Sequence, residues 1–189
     1  MGSEMCIRDS KTTVHMQKLL PASVDVVWEY LTQSDKRATW LASGDMGLHI
    51  GGQADLCFNF KNLTSEVTPE RFLPYESNHR QHGHVTACEP PYLLSFTWNE
   101  REGRSSEVRF ELKAQGDKTL LTLTHSRLPD RNEMVSVSSG WHIHLGILED
   151  RLNQQQPRPF WATHAKLEAE YKQRTVSYTH LTLPTIYSV

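Results

Sequence analysis

Apolar positions change period along this chain. The changes mark out a strand, two short helices, a run of strands and a late helical part. Residues 12–20 read as a strand that stops at Pro21. Val24, Val27, Trp28 and Leu31 then recur at i, i+3, i+4 and i+7, the one-sided stripe of an amphipathic helix. Ser23 stands at its N-cap position, and Asp25 faces the positive end of its dipole. Ser34 predicts a second cap, for a short helix over 36–41 that ends in Trp40-Leu41.

From Gly44 the period becomes two. Ala54, Leu56, Phe58 and Phe60 alternate with Gln53, Asp55, Cys57 and Asn59, which predicts a strand with one buried face. Gly51-Gly52 ahead of it marks a tight hairpin or a bulge. Residues 62–78 are polar and proline-bearing, a loop or irregular edge. A strand over 81–89 leads to the Pro90-Pro91 turn. Leu94, Phe96 and Trp98 share the next face, 99–105 is a charged hairpin loop, and Val108, Phe110 and Leu112 share another. Gly116-Asp117 turns the chain into Leu121, Leu123 and His125. Connections this short join antiparallel neighbours, because parallel strands need crossovers of a dozen or more residues.

Past Pro129 the period returns to 3.6. Val137, Trp141, Leu145, Leu148 and Leu152 form a stripe over about four turns. Pro157 and Pro159 stop that helix, and Phe160-Trp161 opens a last amphipathic segment through Leu167 and Tyr171.

The two ends are read differently. Met5-Cys6-Ile7-Arg8-Asp9 can be encoded ATG-TGT-ATA-AGA-GAC, whose reverse complement translates as Val-Ser-Tyr-Thr-His, the residues Val176 to His180 in order. Two ends of one protein have no physical reason to be reverse complements, and the DNA resembles a transposase adapter from library preparation. Residues 1–10 and 176–189 are therefore expected to be non-native tails. The remaining 11–175 is the length of one domain, enough to bury about 68–70% of its unfolded surface without metal or disulfide staples.

The whole chain carries a formal net charge of −2, and no basic stripe with interleaved aromatics, so nucleic acid is not an expected partner. No apolar run approaches the roughly 18–20 residues of a membrane span. With Cys6 set aside, Cys57 and Cys88 remain, at no metal or redox spacing. They read as buried free thiols in a reduced, cytoplasmic compartment.

Leu20-Pro21-Ala22-Ser23 before Val26-Val27-Trp28, Trp40, Pro90-Pro91 through Phe96-Thr97-Trp98, Thr122-Leu123-Thr124-His125, and Gly140-Trp141 ahead of Leu145 and Leu148 follow one another in a telling order. Together they resemble the SRPBCC or START-like superfamily, and within it the family of homologues of the activator of heat-shock protein 90 ATPase. The resemblance implies an α+β helix-grip fold: a seven-stranded curved antiparallel sheet wrapped around a long C-terminal helix, with two short helices after the first strand. It also implies a cavity between sheet and helix that holds an apolar small molecule in many members and serves catalysis in some. The co-chaperone that names the family carries a second domain, and no domain of that kind is expected from the residues of this chain.

Candidate lining residues follow from strand parity and the helical stripe: Phe58, Phe60, Phe96, Trp98, Phe110, Leu123 and His125 from the sheet, and Trp141, His144, Leu145 and Leu148 from the helix. The same side chains also serve as ordinary core, each contributing roughly 1.5–3 kcal/mol by burial. His125 and His144 are the polar candidates, able to orient a ligand or act as a base near neutral pH. Alternatively, each imidazole simply bonds a nearby carbonyl or side chain. His82 and His84 share a strand face but lack a third ligand, so no metal is expected. His142 and His144 lie roughly 200° apart around a helix and do not chelate together. No nucleophile elbow, phosphate loop or cofactor motif is present. The expected function is binding of a small apolar or aromatic ligand. The alternatives are a cyclase- or hydrolase-like enzyme using cavity histidines and a chaperone-ATPase-activating interaction module.

Overall fold

The computed structural model describes residues 6–9, 12–101 and 104–180. Its strands are β1 (Cys6–Asp9), β2 (Val14–Leu20), β3 (Leu56–Asn59), β4 (Ser77–Gln81), β5 (Val85–Glu89), β6 (Leu93–Arg101), β7 (Arg104–Gln115) and β8 (Lys118–Ser126). Its α-helices are α1 (Val24–Thr32), α2 (Ser34–Ala38), α3 (Arg131–Leu152) and α4 (Phe160–His180). The main sheet is antiparallel throughout, in the order β1-β2-β8-β7-β6-β5, and β3-β4 form a second, two-stranded sheet. Leaving β1 aside, the strands within 11–175 number seven, five in the large sheet and two in the small one.

β1 lies in the segment expected to be foreign. It adds to β2 through main-chain pairing, Cys6 opposite Gln17 and Asp9 opposite Val14. An open sheet edge offers such pairing to any extended segment, so the contact does not bear on the origin of 1–10.

Register explains the core. Leu94 stands opposite Phe110, Phe110 opposite Leu123, and Leu123 opposite Met16, one apolar row across four strands. The next row is Phe96, Val108, His125 and Val14. All eight are buried, and Trp141, Leu145 and Leu148 of α3 are buried with them in one continuous core. Cross-strand neighbours of this kind are the packing unit of a sheet.

The gripped helix is α3, and α4 then packs along it. The one-sided stripe understated α3, whose Val135, Ser139, Ile143 and Ile147 are buried as well. At its C-terminal half, Lys18 of β2 pairs with Glu149 at 2.9 Å, and Arg158 reaches Glu149 and Asp150 at 3.2 and 2.6 Å.

Several sequence expectations change in detail. Ser34 is the first residue of α2, not its cap, and its hydroxyl accepts from the Gly44 amide. Ser23 holds the N-cap position of α1 without a side-chain cap bond. The 51–52 glycines do close a hairpin, with Met46 bridging Ala54 and Ser43 bridging Cys57. Phe60 leaves the strand and starts a 3-10 turn, Phe60–Asn62. Residues 62–78 hold a further 3-10 turn, Glu70–Tyr75, and the start of β4. The expected strand 81–89 is broken at Gly83, where a Cβ would fall 2.4 Å from the Thr97 carbonyl oxygen. Main chain crosses main chain there, and only glycine permits the approach. β6 and β7 also run further into the 99–105 hairpin than its charge pattern predicts, leaving its tip at 102–103 outside the described residues. Cys57 and Cys88 are unpaired and half-buried rather than fully buried. No helix among the described residues is long and apolar enough to cross a membrane.

Candidate functional site

The core rows fill the middle of the grip, and the cavity opens beyond them. Two residues past Phe96, Trp98 pairs with Ser106 instead of a large apolar residue, and the packing loosens. A cavity of about 410 Å³ lies there, between β3-β4, the end of β6, α3 and the start of α4. That size accommodates a small organic molecule.

Its walls are aromatic. Trp98 and Trp141 meet at 5.2 Å between ring centroids, and Phe58 sets its edge against Trp98 at 5.8 Å. Across from them, Phe60, Phe160 and Trp161 touch one another at 4.7 to 5.1 Å, and Phe72 stacks on Trp161 at 4.8 Å. Tyr75 and His79 close the side at 4.9 Å. Edge-to-face and offset pairs of this sort hold aromatic side chains in fixed orientations.

α3 contributes Glu133, Ser136, Val137, Gly140, Trp141 and His144. The spacing i, i+3, i+4, i+7, i+8, i+11 is one face of a helix. Ser136 is exposed and Glu133 half-buried at the outer end, while His144 is buried at the inner end. Gly140 sits mid-face, and a Cβ there would meet nothing within 4 Å. A larger residue at this position would project into open space.

The start of α4 is fastened over the cavity by the 62–76 segment. The Glu66 carboxylate accepts from the amides of Trp161 at 2.8 Å and Ala162 at 3.3 Å, satisfying orphan N–H groups of a helix start. Arg71 makes a two-point ion pair with Glu168 further along α4. It also lies 4.4 Å over the Phe72 ring.

The expected lining residues divide. Phe58, Phe60, Trp98, Trp141 and His144 face the cavity. Phe96, Phe110, Leu123, His125, Leu145 and Leu148 are not in its wall; they are buried in the rows behind it. Parity assigned them to the right face, but side chains from sheet and helix meet there and leave no room.

His125 is fully committed. Its Nδ1 accepts from the Trp141 indole N–H at 3.0 Å, and its Nε2 lies 2.8 Å from the Ser106 hydroxyl. Nδ1 as acceptor leaves the proton on Nε2, an assignment made from partners. Burial lowers its pKa to about 3. Neither nitrogen reaches the cavity as a base, and the residue instead fixes the Trp141 wall.

His144 takes the opposite tautomer. Its Nδ1 donates to the Trp40 carbonyl at 2.7 Å, which leaves Nε2 with a lone pair. Burial lowers its pKa to about 4, against the opposing pull of that carbonyl. His164, edge-on to Phe72 at 5.3 Å, is also lowered by burial. These two imidazoles are neutral acceptors or donors near pH 7.

Among the described residues, two buried side-chain polar atoms have no partner: the Gln81 oxygen and the Trp161 indole nitrogen. Both residues line the cavity. A buried unsatisfied group costs about 1–3 kcal/mol.

Sequence reasoning missed Phe72 and Tyr75, which lie in the segment read as a loop, His79 just after it, and Gln81, read only as the start of a strand. It also left Phe160, Trp161 and His164 in a separate segment with no assigned neighbour. The available signal was two aromatic residues, Phe72 and Tyr75, inside an otherwise polar stretch, with Phe60 just ahead of it. Elsewhere, His82 pairs with Asp55 and His84 with Glu100. Among the described residues, no three His, Cys, Asp or Glu side chains gather into a metal-sized cluster.

A sequence model of the Activator of Hsp90 ATPase homolog 1-like protein family matches residues 21–153. The solution NMR structure of a Bordetella parapertussis protein, encoded by gene BPP1335, is 38% identical with a TM-score of 0.77, covering 92% of this chain and 95% of that one. The crystal structure of CalU16 from Micromonospora echinospora shares the fold at 22% identity and a TM-score of 0.67, covering 92% of this chain and 98% of its own. DynU16, a protein in the dynemicin biosynthetic locus, matches at 22% identity and a TM-score of 0.57, covering 80% of this chain and 51% of its own. No curated protein sequence matches.

Proposed function

The chain belongs to the Activator of Hsp90 ATPase homolog 1-like family, of START-like fold, and from that premise we propose that it binds a small, flat, largely apolar molecule in the cavity between β3-β4, α3 and α4. The observation that carries this reading is the conjunction of an aromatic wall with two unpaired buried polar atoms, the Gln81 oxygen and the Trp161 N–H. An aromatic lining supplies contact area, and the two polar atoms supply orientation. The place of DynU16 in a biosynthetic locus supports a small-molecule occupant here. The free thiols Cys57 and Cys88 support a reducing, cytoplasmic setting.

Native mass spectrometry of freshly purified protein should reveal a retained small molecule, and aromatic probes should raise the melting temperature. Gln81→Leu should leave the fold intact, gain up to about 1 kcal/mol by removing an unsatisfied group, and weaken probe binding. A Gln81→Leu protein with unchanged probe affinity and lower stability would assign Gln81 to the fold instead.

A further inference from the structure

We infer that the occupant is an aromatic or apolar amine, its cationic nitrogen directed toward Glu133. This rests on the ligand-binding reading above and names the chemical class that the same cavity favours.

Three observations converge. Glu133 is the one Asp, Glu, Lys or Arg side chain among the described residues lining the cavity. It is not alone, because Asp130, the N-cap of α3, places a second carboxylate beside it. Two arginines have partners on α4. Arg131 points to the Lys172 carbonyl on α4, at 3.5 Å. Arg71 is held by Glu168, and the half-charge of the α3 N-terminus is already faced by Asp130.

The wall also holds buried acceptors that a ligand's N–H groups could meet. The Gln81 oxygen is unpaired, and His144 Nε2 holds a lone pair because Nδ1 is bonded to Trp40. Among the described residues the buried unpaired donor is Trp161 Nε1, and the Tyr75 and Ser136 hydroxyls of the wall can turn to donate or accept. A ligand rich in N–H groups satisfies such a wall, whereas a carboxylate would face Glu133 and two further lone pairs.

The rings supply the third argument. Trp98, Trp141, Trp161, Phe58, Phe60 and Phe160 line the cavity, and the face of an aromatic ring attracts a cation through its quadrupole. Burial and then Asp130 push the Glu133 pKa up, and a cation placed beside the two carboxyls would oppose both effects.

The test uses three probes of one shape: 2-naphthylmethylamine, 2-naphthylmethanol and 2-naphthoate, titrated calorimetrically into the full chain at pH 7.5. The amine should bind about tenfold tighter than the carboxylate and several-fold tighter than the alcohol. Glu133→Gln keeps the size of the side chain. It should bring amine and alcohol within about twofold of each other while leaving the alcohol's affinity unchanged. Glu111→Gln, on the exposed side of β7, should leave the ratio intact. A carboxylate that binds as tightly as the amine, or an amine preference that survives Glu133→Gln, overturns the inference. Equal binding of all three refutes the amine and leaves the cavity reading standing, whereas binding of none refutes both.

Discussion

The indole nitrogen of Trp141 donates to Nδ1 of His125 across 3.0 Å, joining the cavity wall of α3 to the last inward residue of β8. His125 passes the chain on to Ser106, whose hydroxyl lies 3.4 Å from the Trp98 carbonyl. The two tryptophans that face each other at 5.2 Å are thus connected through polar groups behind the wall as well as through their rings. The histidine that resembled a catalytic base is a bracket.

This bracket requires neutral imidazole. Long-range 15N correlation spectra should show His125 as the Nε2–H tautomer and His144 as the Nδ1–H tautomer, both neutral at pH 5.5. Matching tautomers would contradict the hydrogen bonds assigned here.

The same protonation states set an acid limit on stability. The folded pKa values, about 3 for His125 and about 4 for His144, lie below the ordinary 6.5. Depressed values mean that the unfolded chain binds protons first as pH falls. Their stabilisation is therefore complete above about pH 6.5 and is lost on acidification towards 3. Each contributes a slope of up to about 1.4 kcal/mol per pH unit. Urea midpoints should fall steadily from pH 6.5 to 4. A midpoint that stays level over that range would contradict the burial of neutral imidazoles.

Two glycines of α3 should respond in opposite directions. At Gly140 a methyl meets open space, so Gly140→Ala should gain about 0.5–1 kcal/mol from helix propensity. Gly140→Leu should stay folded and weaken ligand binding about tenfold or more, by occupying the cavity. At Gly146 a Cβ would stand 2.7 Å from the Arg158 guanidinium, which is bonded to Asp150 and Glu149. Gly146→Ala should displace that group and lower stability by about 1 kcal/mol despite the better propensity. Urea midpoints moving the same way for both alanines would contradict the placement of these two positions.

We propose, on the coding argument, that residues 1–10 and 176–189 are foreign to the domain. A chain of 11–175 should fold with a melting temperature within about 3 °C of the full chain, since Tyr171 is the last residue described as buried. A larger loss would make β1 or the end of α4 part of the domain.

Most of the fold was legible because each element declared its own period. Leu94-Phe96-Trp98 and Leu121-Leu123-His125 fixed strand faces, and Val137-Trp141-Leu145-Leu148 fixed the gripped helix. The cavity was less legible, because parity says which face a side chain takes and not whether something opposes it. Phe96 and Trp98 share a face, yet Phe96 sits in a filled row while Trp98 stands at its open end. Phe72 and Trp161, stacked at 4.8 Å, are 89 positions apart, and no local pattern links a polar loop to the first turn of α4.

The central claim is that the cavity bounded by Trp98, Trp141, Gly140 and Trp161 receives a ligand, and indole N–H resonances test it most directly. The Trp40 and Trp141 donors are occupied within the fold, by the Tyr30 carbonyl and by His125, whereas the Trp161 donor is unpaired. On titration with 2-naphthylmethylamine and 2-naphthylmethanol, the Trp161 indole signal and the Gly140 amide should shift saturably, and the Trp40 indole should stay nearly still. Saturable shifts confined to the outer face of the sheet, or none with either probe, would contradict the account.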